Sequence, residues 1–255
     1  MLLLVGMGLT QAGAFAQSKN PVIAHRGAWR ADNIPENSIA SLRKAIEMGC
    51  SGSEFDVWMT KDGVPVVNHD PTHQGLKVEH STYRELAAKK LPNGETIPTL
   101  EEYIKAGKKQ KDTKLILEIK TSQISKERTL ELTEKCVNTV KRLNAEKYVD
   151  YICFDYDAGL KVIELDKKAS VCYLSWKGDV VPAKLKEDGF AGLDYHHTAY
   201  RKFPEYLNEA KKLGLVTNVW TVDRIEDMQW FIEKKVDYIT TDEPKALFDL
   251  LKNTR

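Results

Sequence analysis

Eight short apolar stretches, each followed by a segment of helical periodicity, set the tightest limit on what this chain can fold into. The stretches begin at Pro21, Ser53, Lys114, Tyr151, Ser170, Ala191, Leu215 and Val236. The segments between them carry apolar residues three and four apart. Ile39, Leu42, Ala45 and Ile46 form one stripe, which Asn37 or Ser38 can cap and Gly49 can end. Leu132, Cys136, Val140 and Leu143 form another, and Phe203, Tyr206, Leu207, Ala210 and Leu213 a third. Strands that alternate with helices run parallel, and eight of them in 255 residues predict an α/β fold, a (β/α)8 TIM barrel. One segment departs from the repeat. Gly49 to Asp70 reads as a strand, a turn at Lys61-Asp62-Gly63 and a return strand ending at His69. Residues 71–98 are broken by Pro71, Gly75, Pro92, Gly94 and Pro98, with one short helical piece around Tyr83 to Ala88. This reads as a small insertion after the second strand.

A barrel of this kind builds its site at the C-terminal ends of its strands. His25 and Arg26 end the first strand, Glu54 and Asp56 the second, and Glu118 and Lys120 the third. Asp194 to His197 end the sixth, Trp220 the seventh, and Thr240 to Asp242 the eighth. Glu54 and Asp56 are two apart and share a face, while Phe55 and Val57 point to the apolar side. Two carboxylates side by side on a buried strand repel each other and lose hydration, so a positive partner must hold them. A divalent metal is the economical one. Singly, each of these residues has an ordinary explanation: Glu118 with Lys120 as an internal ion pair, Trp220 as packing, Asp242 as the cap of the last helix. Gathered at one rim, they read as a site.

The remaining composition narrows the function. The net charge is +1 and there is no basic run with interleaved aromatics, which argues against a nucleic-acid partner. Met1 to Ala16 is uncharged and ends Ala14-Phe15-Ala16 before Gln17. This predicts a cleaved export signal over 1–16, a single domain over 17–255 and a periplasmic or secreted location. No later segment is long and apolar enough to span a membrane. Cys50, Cys136, Cys153 and Cys172 show no close pair and no metal-type spacing, and read as buried free thiols.

The strand-end residues, taken with their neighbours, resemble the glycerophosphodiester phosphodiesterases, within the wider phospholipase-C-like phosphodiesterase barrels. The likeness runs through His25-Arg26-Gly27, Pro35-Glu36-Asn37-Ser38, Glu54-x-Asp56-Val57, Thr60-Lys61-Asp62-Gly63 and His69-Asp70. It returns at Leu117-Glu118-Ile119-Lys120, Val219-Trp220-Thr221-Val222-Asp223 and Thr240-Thr241-Asp242-Glu243-Pro244. The resemblance implies that Glu54, Asp56 and Glu118 bind a divalent metal and that His25 and His69 form the acid/base pair. It also implies that Arg26 and Lys120 grip phosphate, and that Trp220 packs against glycerol. Three carboxylates without a cysteine favour a hard cation, Ca²⁺ or Mg²⁺. Three stretches depart from the family pattern: Cys50-Ser51-Gly52-Ser53 before the first acid, where the spacing is kept, Pro71-Thr72-His73-Gln74-Gly75 after His69-Asp70, and Asp194-Tyr195-His196-His197 at the sixth strand end.

The expected activity is metal-dependent hydrolysis of a small glycerophosphodiester to sn-glycerol 3-phosphate and an alcohol. The alternatives are a phosphodiesterase acting on intact phospholipid and a non-catalytic phosphate-ligand binding protein. Headgroup, choice of cation, division of labour between the histidines, first nucleophile and oligomeric state are not legible in the sequence.

Overall fold

A computed structural model describes residues 20–32 and 34–253; the expected export signal lies outside them. Strand β1 (Val22–Ala24) leads to α1 (Ile39–Glu47). Ser38 rather than Asn37 caps α1: Ser41 N donates to Ser38 Oγ, and Ser38 N donates to Ser41 Oγ. Next come β2 (Gly52–Met59) and β3 (Pro65–Val67), paired antiparallel across the turn at Gly63. The insertion holds a small ribbon, β4 (Thr72–His73) and β5 (Leu76–Lys77), and the short α2 (Tyr83–Ala87). After it come α3 (Leu100–Gly107), β6 (Lys114–Ile119), α4 (Lys126–Arg142), β7 (Val149–Cys153), α5 (Tyr156–Leu165) and β8 (Val171–Ser175). The chain ends with α6 (Pro182–Glu187), β9 (Gly192–His196), α7 (His197–Lys202), α8 (Glu205–Leu213), β10 (Val216–Trp220), α9 (Ile225–Lys234), β11 (Tyr238–Thr241) and α10 (Pro244–Asn253).

The parallel strands run in the order β1-β2-β6-β7-β8-β9-β10-β11, and β11 pairs back on β1 to close the ring. This is the expected (β/α)8 TIM barrel. Strand periodicity divides the core in two. Phe55, Val57, Leu117, Ile119, Cys153, Leu193 and Tyr195 face the helices. Ile23, Ile116, Ile152, Cys172, Leu174 and Tyr238 fill the barrel interior. The insertion packs around its own small cluster of Trp58, Val66, Val78, Leu86 and Ile97. All four cysteines are free and buried.

Two expectations needed correction. β2 does not end at Glu54 and Asp56. It runs on to Met59, because Trp58 and Met59 pair with Val66 and Pro65 above the barrel rim. The stripe from Phe203 to Leu213 is also not one helix. α7 stops before Phe203, and α8 starts after Pro204, whose ring disfavours a helical conformation at the residue before it.

The first strand's end depends on Gly27. Its φ is +77°, and a Cβ built there would lie 2.4 Å from Ser41 Oγ. Its N–H donates to Glu54 O at 3.1 Å, so the turn also locates the neighbouring acid. Gly27→Ala is expected to destabilise the fold by about 2 kcal/mol or more. Chemical denaturation measures the loss; an unchanged midpoint would contradict the tight packing at this turn.

Candidate active site

The strand ends surround a pocket of about 340 Å³ with two unlike halves. His25, Arg26, Glu54, His69, Glu118 and Lys120 line one; Ile152, Phe154, Leu174, Trp176 and Trp220 line the other. Asp194, Thr221 and Thr240 complete the wall. A cavity of about 30 Å³ deeper in the barrel, touched by Ile23, Ile116, Ile152 and Val216, has room for little more than one water.

Glu54, Asp56 and Glu118 come together in this pocket. Each offers an oxygen, and these lie within 4.8 Å of one another, all on buried residues. Parallel pairing places Asp56 beside Glu118, and period two puts Glu54 on the same inward face. Asp56 is held from both sides. Asn37 Nδ2 donates to Asp56 Oδ2 at 2.8 Å, Asp56 N donates to Asn37 Oδ1 at 3.1 Å, and Lys120 Nζ lies 3.0 Å from Asp56 Oδ1. Lys120 Nζ also sits 2.7 Å from Glu118 Oε1, a charge contact without the alignment of a directed hydrogen bond. Glu54 is the least satisfied. Its Oε2 accepts from Arg26 N at 2.9 Å, while its buried Oε1 has no hydrogen-bond partner.

The electrostatics follow this geometry. Burial, reinforced by Asp56 and Glu118, pushes Glu54 well above the ordinary carboxylate range. Burial and then Asp56 push Glu118 up to about 7. Burial would raise Asp56 too, but Lys120, His69 and Arg26 outweigh it and hold it at about 2. Burial works against the charged form of Lys120, yet Asp56 and Glu118 raise it above the ordinary lysine value. The cluster therefore has one firmly ionised acid and two that resist ionisation without a further positive charge. An orphaned carboxylate oxygen amid an all-oxygen donor set fits a hard cation.

This sets the pH response of the protein stripped of metal. Glu54 and Glu118 have folded values above their unfolded ones, so the stability they confer is full below about pH 4.5. It is lost as pH rises through about 7, where Glu118 ionises in the fold. A saturating divalent cation favours the ionised forms and cancels that loss. The rise in melting temperature on adding Ca²⁺ or Mg²⁺ is expected to be larger at pH 8 than at pH 5; an equal rise would contradict it.

The cations and imidazoles are placed as precisely as the acids. Arg26 has a left-handed backbone, φ +54°, which turns its N–H onto Glu54. Its guanidinium pairs with Glu36 at 3.0 Å and lies 3.9 Å from Asp56 Oδ2. His25 Nδ1 lies 2.8 Å from Asp242 Oδ1, an oxygen that also accepts from Trp29 Nε1. Burial would raise Asp242, but His25, Trp29 and Arg30 hold it below its usual value. An ionised Asp242 can only accept, so Nδ1 carries the proton and Nε2 is left on the other side, 4.0 Å from Glu54 Oε2. His69 is arranged alike, with Nδ1 2.8 Å from Asp70 Oδ1. Trp58 Nε1 donates to His69 O at 2.9 Å and fixes its backbone. Burial lowers the His69 value against the opposing pull of Asp56.

Trp220 donates from Nε1 to Asp194 O and meets Phe154, Trp176 and His196 edge-on. Sequence reasoning missed Asn37 as an acid-orienting residue and Asp242 as a histidine partner. It also missed Phe154, Leu174 and Trp176 as pocket wall. Phe154 and Trp176 each follow the last residue of a barrel strand, the position that singled out Lys120. His196 ends β9: its Nδ1 accepts from Thr198 N as the cap of α7, and its ring packs on Trp176.

The sequence profile described as the Glycerophosphoryl diester phosphodiesterase family matches residues 25–246. The chain belongs to this family. It is 34% identical over 251 residues to a glycerophosphodiester phosphodiesterase of Caldanaerobacter subterraneus, covering 92% of this chain and 98% of that one. The crystal structure of a Parabacteroides distasonis glycerophosphodiester phosphodiesterase superposes with a TM-score of 0.89 at 42% identity, covering 94% of this chain and all of the other. An Oleispira antarctica phosphodiesterase, solved in complex with the product sn-glycerol-3-phosphate, shares the fold at 22% identity and a TM-score of 0.76, with 91% and 97% of the two chains covered. The family profile begins at His25 and spans every pocket residue named above.

Proposed function

We propose that this member of the glycerophosphodiester phosphodiesterase family hydrolyses glycerophosphodiesters to sn-glycerol 3-phosphate and an alcohol, with a divalent cation and two histidines. The observation that carries the reading is the meeting of three mutually close buried carboxylates with two imidazoles, each braced on Nδ1 by an aspartate. The names of the relatives support the substrate class.

Glu54, Asp56 and Glu118 would hold Ca²⁺ or Mg²⁺, which when bound polarises phosphoryl oxygens and stabilises developing charge. Arg26 and Lys120 bring fixed positive charge to the phosphate. Trp220, with Phe154 beside it, packs against the carbon skeleton of the glycerol arm. One histidine takes the proton from the attacking nucleophile and the other delivers one to the leaving alkoxide. Asp242 keeps His25 Nε2 aimed at the pocket and stabilises the ring when it is protonated. Asp242→Asn is therefore expected to lower kcat about 100-fold with little change in KM. A rise in KM at constant kcat would contradict a positioning role.

Residues 1–16 would direct export, with a mature domain over 17–255 acting in the periplasm or outside the cell. Among the described residues, no helix is long and apolar enough to cross a membrane. The reading is tested by incubating the protein and Mg²⁺ or Ca²⁺ with glycerophosphoethanolamine and identifying the phosphorylated product. Glycerol 3-phosphate is expected; phosphoethanolamine would show the wrong bond cleaved, and no product would overturn the reading.

A further inference from the structure

We propose that Asp194 selects the glycerol arm: its carboxyl, at the floor of the pocket, holds the terminal hydroxyl of glycerol, so that arms lacking this hydroxyl are rejected. The inference rests on the reading of the pocket as a glycerophosphodiesterase site and names a determinant of its specificity. Asp194 belongs to the sixth strand end, a stretch that departs from the family pattern, and the chemistry derived above gives it no task.

Period two on β9 turns Leu193 and Tyr195 towards the helices and Asp194 towards the barrel axis. There Asp194 lines both the pocket and the small cavity beneath it, and so stands between them. β9 lies three strands round the ring from β6, which places Asp194 away from the carboxylate cluster and on the side of the apolar wall. It is level with Leu174 on β8 and Asn218 on β10. Its main-chain carbonyl accepts from Trp220 Nε1 at 2.9 Å. The same residue therefore fixes the indole that packs on the glycerol carbons and offers a carboxyl one step deeper.

The fold leaves that carboxyl incompletely satisfied. Among the described residues, the pocket wall holds four buried side-chain atoms without a hydrogen-bond partner: Arg26 Nε, Glu54 Oε1, Glu118 Oε1 and Asp194 Oδ1. The first three belong to the half that takes cation and phosphate. Asp194 Oδ1 is the one beside the apolar wall. The neighbouring polar groups are occupied: Asn218 Nδ2 donates to Thr240 Oγ1 at 2.8 Å, and Asn218 Oδ1 accepts from Val219 N at 2.9 Å. A buried polar atom without a partner costs free energy that a substrate hydroxyl placed there recovers. A hydroxyl suits the site better than an ammonium group, which would shed far more hydration to reach an acid this deeply buried. Burial also pushes the Asp194 carboxyl up to about 7, with Asn218 opposing the rise and Glu118 adding to it, and this favours a neutral partner. Of the two glycerol hydroxyls, the terminal one lies farther from phosphorus, and Asp194 is the pocket acid outside the carboxylate cluster.

The test compares kcat/KM for glycerophosphocholine and for 2-hydroxypropyl phosphocholine, with Mg²⁺ or Ca²⁺ present. The second substrate keeps the hydroxyl next to the phosphoester and lacks only the terminal one. Wild type is expected to prefer glycerophosphocholine about 100-fold. Asp194→Leu, similar in size without polar atoms, is expected to lose about 100-fold on glycerophosphocholine and to stay within about threefold of wild type on the analogue. Asp194→Asn retains a donor and an acceptor and is expected to keep a preference of about tenfold or more. Should Asp194→Leu fail to fold, Asp194→Ala gives the same readout. Wild type that forms glycerol 3-phosphate from glycerophosphocholine but turns over both substrates alike overturns the role of Asp194 alone. An Asp194→Leu enzyme that keeps the preference, or that loses equally on both substrates as a purely structural acid or a headgroup contact would, does so too. So does an Asp194→Asn enzyme as indiscriminate as Asp194→Leu. Wild type that releases no glycerol 3-phosphate overturns the underlying reading as well.

Discussion

His69→Gln is expected to lower kcat about 1000-fold while leaving KM and thermal stability close to those of the parent. His69 stands two residues beyond β3, on a hairpin that overruns the barrel, and the Trp58 indole holds its carbonyl. Its ring lines the charged half of the pocket, and its Nδ1 is engaged by Asp70. Burial keeps its value below that of a free imidazole, so it is mostly neutral near pH 7 and can accept a proton there. Glutamine preserves a hydrogen bond but cannot move a proton, so the loss falls on the chemical step. Steady-state kinetics on two substrates also assigns the role. If His69 is the general acid, a diester with a nitrophenol leaving group restores most of the rate, because that leaving group departs without a proton. If His69 is the base, both substrates lose equally. The same pair of assays on His25→Gln is expected to give the opposite pattern. Unchanged kcat in both variants would contradict the acid/base assignment.

Glu54→Gln is expected to cost at least as much, about 1000-fold or more in kcat/KM, and to remove the stabilisation that added Ca²⁺ or Mg²⁺ gives the parent. Glu54 is the acid with the most to gain from a cation. Its Oε1 is buried without a partner, and Asp56 and Glu118 both raise its proton affinity. Glutamine is nearly isosteric and removes the charge that the cluster would otherwise pair with metal. Without metal the variant is expected to be as stable as the parent or more so above pH 7, since a repelled charge has been deleted. Loss of activity together with gain of metal-free stability separates a ligand from a structural acid. An active variant that still responds to metal would remove Glu54 from the site.

Much of the barrel was legible because its signals are local. Apolar strands, helical stripes and the turn at Gly63 each declare themselves within a few residues. The acids were legible because period two is rigid: once β2 is a strand, Glu54 and Asp56 must share a face. What escaped depends on distant chain segments. Asp242 lies 217 residues from His25 and looks like an ordinary helix cap until β11 pairs with β1. Asn37 and Ser38 both read as caps for α1; Ser38 takes that role, and the Asn37 amide is left for Asp56. The hairpin of β2 and β3 was legible from the turn at Gly63, but its place above the rim, with Glu54 and Asp56 in mid-strand and the return strand ending at Val67 rather than His69, was not. The break at Phe203-Pro204 was obscured by an apolar spacing that continues across it.

The most direct measurement is turnover of glycerophosphoethanolamine by the protein after metal removal, with and without Ca²⁺ or Mg²⁺ added back, beside Glu54→Gln as control. Turnover near background without metal, restored in the parent by one of the two cations and not restored in the variant, is the expected result. Full turnover by the metal-free parent in excess chelator would contradict a metal site built by Glu54, Asp56 and Glu118.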